Sequence, residues 1–119
     1  MGDAFLEPGS ILLIVHRRLY DGDQPRYFVG TVRAFDAGFL KIEGYSWVRD
    51  PMSGTIVRKD GRRTKLVSLA SAALFFYELS ADTRLESIHF ESDGQGRVQL
   101  SDGSELNLDL TEGISHGRR

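Results

Sequence analysis

Arg26-Tyr27-Phe28-Val29-Gly30-Thr31-Val32-Arg33-Ala34-Phe35-Asp36-Ala37-Gly38-Phe39-Leu40-Lys41-Ile42 reads as two extended segments folded back on one another. Over residues 26–36 the side chains alternate. Phe28, Val32 and Ala34 fall on one side and Tyr27, Thr31 and Arg33 on the other, the period of two expected of a strand. Gly30 lies on the Phe28 face, where a missing side chain permits a strong bend or the close approach of another strand. Ala37-Gly38 closes a hairpin onto residues 39–48. There Leu40, Ile42 and Val48 share a face with Gly44 and Ser46, and Phe39, Tyr45 and Trp47 lie opposite with Lys41 and Glu43.

Extended segments flank this hairpin on both sides. Residues 11–19 begin as an apolar run and turn basic at His16, Arg17 and Arg18, as expected of a strand buried over its first half. Four Asp-Gly pairs, at 21–22, 60–61, 93–94 and 102–103, are candidate tight turns, because aspartate tolerates left-handed dihedrals and glycine prefers them. Residues 55–57 form a short strand, followed by the basic loop Arg58-Lys59-Asp60-Gly61-Arg62-Arg63. Residues 64–79 carry two patterns at once. Leu66, Leu69, Ala70, Ala73, Leu74 and Tyr77 recur at helical spacing, while Leu66-Val67 and Leu74-Phe75-Phe76-Tyr77 are strand-like runs separated by small residues. Two strands are the preferred expectation. Residues 85–110 repeat strand, turn and strand, with Ile88, Phe90, Val98, Leu100, Leu106, Leu108 and Leu110 inward; residues 111–119 are too poor in apolar side chains to pack and read as a flexible tail.

The stretch 28–36, with an aromatic two residues before Gly30, an aliphatic at Val32 and Phe35-Asp36 at its end, resembles the first signature of the Sm-like proteins, the group that includes the Lsm and Hfq-related chains. In those proteins the signature is a bent strand that turns into an aliphatic strand, here Leu40-Lys41-Ile42. The order of elements is similar over residues 9–79. The resemblance implies a small barrel of strongly bent antiparallel strands, of the Sm-like or SH3-like kind, with residues 64–79 as its closing pair of strands. Gly30 and Asp36 are the positions that match. The asparagine that follows the Asp in the family has no counterpart in Ala37-Gly38-Phe39, and Leu69-Ala70-Ser71-Ala72 replaces the family's Arg-Gly or Lys-Gly turn. The family's nucleotide pocket is therefore not carried over. The expected fold is mainly β: one domain over residues 1–110, with a barrel core at 9–79 and an added C-terminal β-meander at 85–110.

Composition agrees with a single small globular unit. The chain has 119 residues, enough for about one domain. Thirteen are glycine and three proline, against ordinary glycine usage of ~7%, which fits many turns. Fifteen basic and 17 acidic side chains give a net charge of -2, so any surface for nucleic acid must be local. Cysteine is absent, which excludes disulfides, thiolate nucleophiles and thiolate metal sites and leads us to expect a cytoplasmic protein. The longest apolar run, residues 11–15, is far short of the ~20 residues of a membrane-spanning helix, and the acidic N-terminal stretch does not read as a targeting peptide.

Two constellations are candidate sites. Arg58, Lys59, Arg62, Arg63 and Lys65, with Arg17 and Arg18 as possible additions, can bind phosphates, and Tyr45 and Trp47 on an adjoining strand can supply stacking for RNA or single-stranded DNA. The alternative is a solvated hairpin loop whose charges keep a strand edge from pairing with other chains. Phe39, Tyr45 and Trp47 form an aromatic face that must be covered, either by the C-terminal meander or by another subunit. His16, His89 and His116 have no metal-ligand spacing, Gly44-Tyr45-Ser46-Trp47-Val48 lacks the second glycine of a nucleophile elbow, and residues 54–64 lack phosphate-loop spacing. No metal or cofactor is expected. The sequence points first to a non-catalytic assembly or binding module that forms homo-oligomers or takes a protein partner, next to an RNA or single-stranded DNA binder using residues 58–65, and last to an enzyme. No membrane partner is expected.

Overall fold

A computed structural model of the chain describes residues 7–16, 26–92, 97–103 and 106–110. Arg17, Arg18, the Asp21-Gly22 and Asp93-Gly94 pairs, His116 and the tail at 111–119 lie outside the described residues. The fold is mainly β: β1 (Ile11–His16), β2 (Arg26–Asp36), β3 (Phe39–Arg49), β4 (Ile56–Arg58), β5 (Arg63–Ser68), β6 (Leu74–Leu79), β7 (His89–Ser92), β8 (Val98–Ser101) and β9 (Asn107–Asp109), with one 3-10 turn at Leu85–Ser87 among the described residues. The first six strands make an antiparallel sheet in the order β4-β3-β2-β1-β6, with β5 also paired to β3. The last three form the expected meander, β7-β8-β9.

The β2–β3 hairpin closes as its sequence predicts. Asp36 pairs with Phe39, and the intervening Ala37 and Gly38 have φ of 52° and 82°. Positive φ at both central residues is the geometry of a type I′ turn, whose twist matches that of the strands it joins. Residues 64–79 are two strands rather than a helix, because each finds a ladder: Phe39–Gly44 pairs with β5 and β1 pairs with β6.

The sheet is apolar on both faces at its centre, which explains the unbroken run of β1. One face buries Leu12, Ile14, Phe28, Val32, Leu40 and Ile42, with Val67, Leu69, Leu74 and Phe76 packed against them. The other buries Ile11, Leu13, Val15, Tyr27, Val29 and Trp47 against Ile88, Phe90, Val98, Leu100 and Leu110 of the C-terminal part. Burial of each such side chain contributes roughly 1.5–3 kcal/mol. We call these the inner and outer faces.

The sheet curls around the inner cluster, since β5 supplies Val67 and β6 supplies Leu74 and Phe76 to it, yet the expected barrel is not closed. Among the described residues no ladder joins β5 to β6. The link between them leaves β5 beside the β2–β3 turn, where Leu69 N–H donates to Gly38 C=O at 2.9 Å, so the chain does not fold straight back onto β5.

A second difference concerns the basic loop, which is not the tip of a hairpin. β4 and β5 run in the same direction along one edge of β3, Trp47 pairing with Arg58 and Gly44 with Arg63. Four residues, Lys59 to Arg62, therefore face only Tyr45 and Ser46, and Lys59 N–H holds the bulge to Ser46 C=O at 2.8 Å. The Asp60-Gly61 pair sits in this bulge, with Gly61 at φ 91°. The bulge interrupts one edge strand instead of joining two neighbouring strands.

Candidate functional site

Because side chains alternate along a strand, the inner apolar face fixes where several polar residues lie. Leu12 and Ile14 face inward on β1, and His16 follows them. Phe28 faces inward on β2, and Arg26 precedes it. Ile42 is succeeded on its face of β3 by Gly44 and Ser46, and Val67 is preceded on β5 by Lys65 and Arg63. The registers bring these ends together: His16 pairs with Arg26, Phe28 with Ser46, Ile42 with Lys65 and Gly44 with Arg63. His16, Arg26, Phe28, Ser46, Arg63 and Lys65 line a cavity of about 110 Å³ at one end of the inner face, joined by Lys59 of the bulge, with Phe28 and Val48 as its apolar side chains.

The cavity is cationic and contains a hydroxyl without a partner. Ser46 is buried, and among the described residues its Oγ meets no donor or acceptor. Leaving such a group unsatisfied costs ~1–3 kcal/mol. Lys65 Nζ lies 4.8 Å from the centre of the Phe28 ring. Burial, and then the neighbouring Arg63, Arg26 and Lys59, hold the Lys65 ammonium below its ordinary pKa; burial, and then Arg26 and Lys65, do the same for the His16 imidazole. Among the described residues no carboxylate lines the cavity.

The remaining cations of the basic run lie on the outer face. Arg58 stacks on the Tyr45 ring, its guanidinium carbon 4.4 Å from the centroid, and Arg62 lies at 5.5 Å. Tyr45 donates its hydroxyl to Glu86 of the 3-10 turn at 3.1 Å; Arg62 reaches Glu86 at 3.2 Å and Glu43 at 4.0 Å, and Arg58 reaches Glu86 at 3.7 Å. Arg33 also pairs with Glu43, at 2.9 Å. These exposed pairs order the side chains while adding little stability. Five cations that are neighbours in sequence are thus split into two groups. Arg58 and Arg62 have acidic partners, whereas Lys59, Arg63 and Lys65 turn toward the cavity.

The aromatic face is also divided. Trp47 is 2% exposed and packs against Phe90, ring centroids 5.3 Å apart, with Tyr27 a further 4.6 Å from Phe90. The meander supplies its cover, so Trp47 is a core residue and not a stacking or interface residue. Tyr45 is half-buried beneath the two arginines. Phe39 remains 56% exposed, beside Leu66 at a shallow cavity of about 320 Å³ near the β2–β3 turn. Asp36 lines that same cavity, at the opposite end of the hairpin from the cationic one, and Gly30 lies in the middle of β2 opposite Gly44.

His16, Arg26 and Ser46 were not singled out as cavity residues by sequence reasoning. The signal was the inner-face alternation, followed past the last apolar residue of each strand. Among the described residues no helix is long and apolar enough to cross a membrane. Comparison with protein-family models, with curated protein sequences and with solved structures finds no match for the chain.

Proposed function

We propose that the protein is a non-catalytic module that associates with further copies of itself through the β5 and β6 edges of its sheet, which carry no further strand among the described residues, as the resemblance to Sm-like proteins implies. The observation that carries this reading is that β5 and β6 are each paired on one side only, among the described residues, and that each edge carries exposed apolar side chains. Leu66 is 73% exposed on β5, with Phe39 beside it, and Phe75 and Tyr77 are 43% and 38% exposed on β6. An edge of this kind presents unpaired backbone N–H and C=O groups and is a template for another strand. A copy whose β6 lies along β5 satisfies both sets of groups and brings Leu66 beside Phe75 and Tyr77, which share the outer face of the sheet. Since the two edges differ, the contact is head-to-tail and either closes into a ring or continues as a filament.

Binding of RNA or single-stranded DNA along residues 58–65 is the weaker reading. Trp47 is unavailable for stacking and Arg58 and Arg62 are held by acids. The lack of cysteine supports a cytoplasmic setting. Sedimentation velocity and light scattering over a wide concentration range test the assembly. We expect a mass that is a multiple of the 13.3 kDa chain and that falls when Phe75→Asp and Tyr77→Ser are combined. A monomer at the highest concentration overturns the reading.

A further inference from the structure

We propose that the cationic cavity at the end of the inner face binds one phosphomonoester group, either free phosphate or the phosphate of a small ester. Four side chains that carry positive charge, Arg26, Lys59, Arg63 and Lys65, reach it from β2, the bulge and β5, and His16 adds a fifth nitrogen donor from β1. Among the described residues none of Arg26, Lys59, Arg63 or Lys65 has a carboxylate within ion-pair distance. The contrast with Arg58 and Arg62 is informative, because the same short run supplies cations that have acidic partners on one face and, among the described residues, none on the other. A cluster of like charges beside an apolar wall is unfavourable unless an anion joins it.

The second, independent observation is Ser46. Its buried hydroxyl lines the cavity with no partner among the described residues, and a phosphate oxygen accepts a hydrogen bond from such a group. Size narrows the ligand class. A cavity of about 110 Å³ has room for one tetrahedral oxyanion. A group with three free oxygens and close to two negative charges uses the donors that converge from three sides better than a chain-internal phosphodiester does. The depressed pKa values of Lys65 and His16 agree with this placement, since both face Arg26 and Lys65 also faces Arg63 and Lys59.

Trp47, the single tryptophan of the chain, follows Ser46 on β3 beside the cavity, with its ring on the outer face, and serves as an intrinsic probe. Titration of the intact protein at constant ionic strength with inorganic phosphate, with glycerol phosphate, and with a short oligonucleotide bearing or lacking a 5′-phosphate distinguishes the sources. We expect a saturable fluorescence change with one or both small phosphates, a loss of affinity of tenfold or more in Arg26→Gln combined with Lys65→Gln, and no loss in Arg58→Gln combined with Arg62→Gln. The His16 ring resonances followed by NMR should report an upward pKa shift when phosphate is bound, a readout that requires no variant. The ester arm separates the two sources: glycerol phosphate binding as tightly as phosphate places an ester in the cavity, and phosphate alone assigns the free anion. No saturable response with any phosphate, or saturable binding of the oligonucleotide that lacks a terminal phosphate as tight as that of the phosphorylated one, overturns the proposal.

Discussion

Gly30 and Gly44 face one another directly across the β2–β3 ladder. A Cβ built on Gly44 would fall on the Val29 carbonyl and the Gly30 Cα, and one on Gly30 would lie 2.6 Å from the Glu43 carbonyl oxygen. These obstacles are backbone atoms and cannot rotate away. The two longest strands therefore approach at a point where neither tolerates a side chain, and this is where the sheet can curl around its inner cluster. Gly44→Ala is expected to destabilise the fold by ~3 kcal/mol or more, the upper range of overpacking costs. Urea unfolding measures it. Gly61→Ala is the matched control, because a Cβ there meets nothing and the cost is confined to its positive φ.

The turn that closes the same hairpin is stabilised by a different change. Ala37 adopts φ 52°, in the left-handed region that Asn occupies more readily than Ala, and it stands where a type I′ turn favours Asn before Gly. Ala37→Asn is expected to raise stability by ~0.5–1 kcal/mol, or about 4 °C in thermal midpoint for a chain of this size. Calorimetry decides it, and an unchanged or lower midpoint contradicts the turn assignment.

The C-terminal meander is part of the core and not an appendage. Phe90 packs between Tyr27 and Trp47, and Ile88, Val98, Leu100 and Leu110 join the same cluster. Asp102, 2% exposed, fixes the approach of this segment by accepting a hydrogen bond from Arg84 N–H at 3.1 Å. Phe90→Ala is expected to cost ~3–5 kcal/mol and to shift Trp47 emission to the red as water gains access to the indole. If the emission of folded Phe90→Ala matches that of the unaltered protein, the meander does not cover Trp47.

The strands and their order were legible in the sequence because β-branched and aromatic alternation, the Ala37-Gly38 turn and the inward set of residues 88–110 are local signals. The two-sided burial of β1 was only partly legible: its apolar run indicates burial but not which layers bury it. Trp47 is the clearest case, since its strand position puts it on the face away from Leu40 and Ile42 and nothing nearby in sequence says that Phe90 lies there. The basic run misled for a related reason. Its charges are contiguous in the chain, and the bulge at 59–62, set by the pairing of β4 and β5 along one edge of β3, divides them between two faces. The cationic cavity draws on β1, β2, β3 and β5, so only the registers could assemble it. The open gap between β5 and β6 likewise depends on where the link at 69–73 is anchored.

His16 gives the cavity a pH dependence whose sign follows from linkage. Burial, with Arg26 and Lys65 nearby, holds its pKa in the folded protein below the ordinary value of ~6.5, so the unfolded chain takes up the proton first as pH falls. The contribution of neutral His16 to stability is complete above about pH 6.5 and is lost as pH falls toward the folded-state value. His16→Gln removes this term. The fall in urea midpoint between about pH 7.5 and pH 5.5 should be smaller in His16→Gln than in the unaltered protein, with the carboxylate contributions common to both. Phosphate should reduce the difference, because an anion among Arg26, Lys59, Arg63 and Lys65 stabilises the imidazolium and brings the folded pKa back toward the unfolded one. Identical pH profiles for the two proteins without phosphate would show that His16 is as well solvated as it is in the unfolded chain and would remove it from the cavity wall.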